Sequence, residues 1–198
     1  NTREGIDKFH ESGLTPNAFF CGAMPIFEGY NARGIKHEHM HHKRPYYVAQ
    51  ESDPHTPKVV KEAHHPVNSI SRLAKDGGVC AKVYIEDGFD FANHVPLIAT
   101  KHLKQITQKA ASISLPVMAH ANATDMQDIA TNVNVDIMGH GLWNWLEEHQ
   151  KDGNQPLPPK VLSVLNKVIE RGIAYQPTLN VIRSLKDVMV TGHLNLPS

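Results

Sequence analysis

Short, nearly continuous apolar runs alternate with amphipathic stretches along this chain. Five runs read as strands, near residues 18–24, 79–85, 116–120, 135–140 and 173–178. Runs of this kind, bounded by turn residues, suit parallel strands covered on both faces. Between them lie helical patterns. Thr2 can cap a first helix with Ile6 and Phe9 inward and Gly13 at its end. Thr56-Pro57 opens another, which Pro66 interrupts; Asn68 or Ser69 can cap the restart, with Ile70, Leu73 and Ala74 inward. Thr100 caps a helix with Leu103, Ile106 and Ala110 on its inner face. From Pro159 to Arg171, the apolar residues Val161, Leu162, Leu165, Val168 and Ile169 follow the helical period, and Gly172 stops them. Asn180 to Val190 also reads as helix. Pro25 to about Asp53 reads as a long irregular region, and Lys151 to Pro159 as a surface loop.

The clearest unit runs from Leu115 to Leu142. Pro116 to Ala119 is an apolar run ending on His120, and Val135 to Gly139 is a second ending on His140. Between them, Thr124 and Gln127 have the spacing of a capping box, and Met126, Ile129, Ala130 and Val133 make one apolar helix face. Strand, helix and strand in so short a span put both strands parallel in one sheet. Both histidines then stand at strand carboxyl ends, the rim where α/β sheets and barrels build their sites. Upstream, Lys82 sits inside the apolar run Val79 to Ile85. Lysine is rarely buried unless paired or chemically used, so Lys82 joins the two histidines as a candidate.

Composition narrows the partners. Lys plus Arg and Asp plus Glu are 20 each, so net charge is zero with His neutral. No basic field for nucleic acid or an anionic membrane follows from that balance, and no apolar run is long enough to span a bilayer. Cys21 and Cys80 both sit in strand runs and read as buried thiols, with one bridge between neighbouring strands also open. Histidine is unusually frequent, at 14. The cluster His37-Glu38-His39-Met40-His41-His42 follows no apolar strand and reads as a solvated loop or substrate lid.

Lys82 in AKVYIEDG, His120 in PVMAHAN and His140 in DIMGHG resemble strands four, five and six of the amidohydrolase superfamily. The likeness is to the branch with imidazolonepropionase-like hydrolases and metal-dependent dipeptidases. Ile173 to Leu179 resembles strand seven, and Phe19 to Met24 resembles strand three. The resemblance implies an α/β fold, a partial (β/α)8 barrel of about five parallel strands. It implies that a carboxylated Lys82 bridges one or two divalent metal ions, most simply zinc, and that His120 and His140 bind metal. A metal-activated water would then hydrolyse a C–N bond in an amide, cyclic amide or dipeptide. Tyr84, near the exit of its strand, and Gln176 are candidate substrate contacts.

The family's strand-one His-x-His pair and strand-eight aspartate have no counterpart among these 198 residues. A whole barrel takes roughly 250 residues. The expectation is therefore the central part of a hydrolase, inactive by itself, whose sheet edges are covered by the rest of the barrel or by another copy. A non-catalytic fragment or scaffold that keeps the barrel but lacks a full site is the alternative. The compartment is left open.

Overall fold

The computed structural model describes residues 2–13, 19–28, 34–50, 54, 56–88, 95–142 and 156–178. Strands β1 (Cys21–Met24), β2 (Cys80–Tyr84), β3 (Val117–His120), β4 (Ile137–Met138) and β5 (Ala174–Tyr175) form one sheet in sequence order. Every neighbouring pair is parallel. The helices are α1 (Arg3–Glu11), α2 (His37–Lys43), α3 (Lys58–Ala63), α4 (Pro66–Lys75), α5 (Thr100–Ala111), α6 (Thr124–Asn132) and α7 (Pro159–Glu170). At least one helix separates each pair of successive strands. This α/β arrangement is consistent with five strands of a (β/α)8 barrel.

The pleat gives the sheet two different faces. Met24, Val83, Ala119 and Met138 are register partners across four strands, and all are buried. That face lies under the helices, with Ile70, Leu73, Leu103, Ile106, Met126 and Val168 in the same core. Gly22 allows the close approach: a Cβ there would lie 2.3 Å from Leu73 Cδ1. The other face carries Ala23, Lys82, Met118, Ile137 and Ala174 in one row, and each is partly or fully exposed. In a barrel this would be the inner face.

Several local expectations change. Thr2 does cap α1, accepting from Gly5 N at 3.0 Å, and Gly13 has a positive φ of 66°. At α6 the helix begins one residue earlier than the capping box requires. Ala123 is the N-cap, and Thr124 turns its hydroxyl inward instead of capping. Gln127 leaves the helix end free and donates to Ala121 O at 3.0 Å and to the Tyr175 hydroxyl at 3.0 Å. The restart after Pro66 is at Pro66 itself, with His65 as N-cap, because proline fits the first helical turn. Ala74 is exposed, and Ser69 takes a place on the inner face. In α7 the inner stripe is Val161, Val164 and Val168, while Leu162 and Ile169 face outward. Five apolar positions span more of the helix surface than one neighbouring helix covers.

The largest correction lies between β1 and α4. The region expected to be irregular holds α2 and the parallel bridge Ile26–Val48. The His37–His42 cluster is helix, not loop. Met40 is its anchor, buried with Phe27, Tyr47, Ala49 and Val60 in a small second core. The cysteines are also corrected. Cys21 and Cys80 are register partners on β1 and β2, with Cα atoms 4.4 Å apart, and are joined as a disulfide. The expected features at Lys151 to Gln155 and Asn180 to Val190 lie outside the described residues.

Candidate active site

Lys82 stands on the open face of β2, and Tyr84 follows it on the same face. His120 ends β3 opposite Tyr84 in the register. His140 lies two residues beyond β4. The parallel register therefore brings the three sequence candidates to the same end of the sheet. The two imidazole rings are 4.7 Å apart, centre to centre, and nearly perpendicular. Lys82 Nζ reaches toward the residue beside His140, and a Cβ on Gly139 would lie 2.6 Å from it. Its hydrogen-bond contact is Met118 Sδ at 3.4 Å.

Burial lowers the Lys82 pKa, and no carboxylate among the described residues forms an ion pair with it. His120 is pushed down to about 4, first by burial and then by the charges of His140 and Lys82. His140 is lowered by burial and by Lys82. Both imidazoles are thus neutral at pH 7, the form that binds a metal.

Three neighbours were not singled out by the sequence pattern. Glu86 Oε2 lies 3.7 Å from His120 Nε2, and burial raises the Glu86 pKa. With the ring neutral, this is a carboxylate beside an imidazole and not an ion pair. Asn122 Nδ2 lies 3.1 Å from the same ring nitrogen. Asn122 Oδ1 is buried and has no hydrogen-bond partner among the described residues. Thr178 Oγ1 lies 3.5 Å from His140 Nδ1, on a residue whose φ of 50° is unusual for a β-branched side chain. The period-two rule would have found two of them. Lys82, Tyr84 and Glu86 share one phase, and His120 and Asn122 share another.

The two candidate substrate contacts differ. The Tyr84 ring is 5.9 Å from the His120 ring and partly exposed to solvent. Gln176 follows β5, its backbone N–H bonded to Met138 O at 2.9 Å and its side chain exposed.

The donor set fits part of a divalent-cation shell. Two neutral imidazoles stand together, with the Glu86 carboxylate beside one of them and the Asn122 amide nitrogen against the same ring. Among the described residues, no three His, Cys, Asp or Glu side chains are grouped around one point.

No family model matches the chain, and no curated protein matches it. Solved structures do. One is a Xaa-Pro dipeptidase with methionine in its active site, at 15% identity and a TM-score of 0.57, covering 97% of this chain and 43% of that one. A second is a prolidase complexed with N-methylphosphonate-L-proline, at 15% identity and a TM-score of 0.55, covering 100% and 44%. A third is the ochratoxinase of A. niger, at 15% identity and a TM-score of 0.54, covering 88% and 37%. The chain spans less than half the length of each. At this identity the likeness is one of fold.

Proposed function

We propose that the polypeptide to which these residues belong is a metal-dependent hydrolase of C–N bonds in a small amide, cyclic amide or dipeptide. The observation that carries this reading is the pair of neutral imidazoles of His120 and His140, 4.7 Å apart, with Lys82 on the same face of the sheet. His120 and His140 would hold a divalent ion, zinc being the simplest case for neutral imidazole ligands. Such an ion would make water a nucleophile near neutral pH.

Lys82 has a separate part. Burial lowers its pKa and so raises the share of neutral amine, the form that adds carbon dioxide. The N–C bond forms, one proton leaves, and the product is a carbamate. That changes a cation beside two imidazoles into an anion suited to bridging metal ions. Glu86 is placed to hold a proton near His120, and Asn122 to orient the ring. Tyr84 and Gln176 would meet the substrate from β2 and β5.

The test uses the full-length protein with zinc supplied, assayed on Xaa-Pro dipeptides and simple amides. His120→Ala and His140→Ala should each abolish turnover and weaken zinc binding by calorimetry while circular dichroism stays unchanged. Turnover that survives both substitutions would falsify the assignment.

A further inference from the structure

The histidine-rich helix α2 is not used by the site above. His41, exposed on α2, places Nδ1 3.4 Å from Nε2 of His64, which is buried at the end of α3. Two ligands of a tetrahedral zinc ion stand about 3.3–3.4 Å apart, given Zn–N bonds of about 2.0–2.1 Å. The observed separation already matches.

The His64 ring is fixed. It stacks on Tyr47 at 3.6 Å between centres and 11° between planes. Its Nδ1 lies 3.2 Å from Tyr47 O. With Nδ1–H donated to that carbonyl, the Nε2 lone pair faces His41. A ring hydrogen bond of this sort is how proteins orient a metal-binding histidine. The Arg72 guanidinium, 3.0 Å from the same Nδ1, has other acceptors in Pro45 O, Ala63 O and Ser69 Oγ, and does not need the ring as one.

A third imidazole is in reach. His37 precedes His41 by four residues on α2, so the two lie on one face of the helix. The sequence His37-Glu38-His39-Met40-His41 has the His-Glu-x-x-His spacing that presents two histidines to one metal when it is helical. The His37 ring lies 6.5 Å from Phe27, and Phe27 lies 5.6 Å from Tyr47, so His37 sits on the same wall as His64. Glu38, 3.3 Å from His37 Nε2, adds negative charge beside the seat.

We propose that His41 and His64, joined by His37 through a side-chain rotation, form a second site for a transition-metal ion of the zinc, nickel or copper class. All three donors are imidazole nitrogens, which suit those metals. His41 is exposed, so an ion enters from solvent without opening the core. The proposal is independent of the β3–β4 site, and either can fail alone.

The test is calorimetric titration of the chelator-stripped chain with zinc, comparing wild type, His41→Ala, His37→Ala and the pair His120→Ala/His140→Ala. His41→Ala is a change at an exposed helical position, so it should leave the circular dichroism spectrum as it is. The proposal expects it to remove one bound zinc from the wild-type stoichiometry. His37→Ala should weaken that same ion. The double variant should retain an ion that adding His41→Ala removes. Unchanged zinc stoichiometry in His41→Ala would overturn the proposal and leave an imidazole–imidazole hydrogen bond only. Loss of all zinc in the folded double variant, or no zinc binding by wild type, would also overturn it.

Discussion

A single missing side chain sets the space around Lys82. Gly139 sits where a Cβ would lie 2.6 Å from Lys82 Nζ, and also 3.1 Å from both Ala119 O and Met118 Cγ. The lysine tip can swing away, but the Ala119 carbonyl belongs to the β3 backbone and cannot. Gly139→Ala should therefore cost about 1–3 kcal/mol, as overpacking commonly does, and should move Lys82 off the row it shares with Met118. Urea unfolding measures the first effect, and zinc calorimetry the second. If the variant matches wild type in both, the close approach at Gly139 has no consequence.

Among elements, Asp76 ties three segments together. It follows α4, accepts from Arg3 Nη2 of α1 at 2.7 Å, and accepts from the Tyr46 hydroxyl at 2.9 Å. Burial alone would raise its pKa, but these hydrogen bonds and the Arg3 charge outweigh it and hold the carboxyl below its ordinary value. The sign of the linkage follows. A carboxyl with a depressed folded-state pKa adds stability that is present above its unfolded pKa, about 3.9, and lost as pH falls through the lower folded value. Denaturant midpoints should thus fall below about pH 4. Asp76→Asn should lower stability at pH 7 by about 1–3 kcal/mol, since it removes a charge-assisted acceptor, and should flatten the acid limb. An acid limb identical in wild type and variant would assign that limb to other carboxyls. Gln127 makes a comparable tie between α6, the turn after His120 and β5, through its bonds to Ala121 O and the Tyr175 hydroxyl.

For the whole molecule, the open face of the sheet matters most. Ala23, Lys82, Met118, Ile137 and Ala174 form a row that no described helix covers. Among the described residues, β1 and β5 each pair along one side only. Unpaired edges and a bare apolar face favour association. We therefore expect these 198 residues, purified alone, to self-associate and to show no turnover of amide or dipeptide substrates. Light scattering coupled to size exclusion, with a hydrolase assay on the same fractions, checks both. A monodisperse monomer with turnover would overturn the expectation.

How much of this was legible beforehand varies with the physics of each feature. Strand order, parallel pairing and the positions of Lys82, His120 and His140 follow from local pattern, because apolar runs and helical periods record which face each residue must bury. The α/β barrel likeness was legible in the same runs. What the pattern did not carry was set by contacts between distant segments. Helix α2 is polar at nearly every position, and it is held by Met40 entering a core made with Phe27, Tyr47, Ala49 and Val60. The capping box at Thr124 gave way because Gln127 finds Tyr175, 48 residues away, across the packed helix and sheet. Cys21 and Cys80 became partners only when the register placed β1 beside β2. Thr178 meets His140 for the same reason, whereas Glu86 and Asn122 lie in phase with Lys82 and His120 and were open to the period-two pattern. Local sequence determines which face a side chain takes, and only the assembled sheet determines which other side chains it meets there.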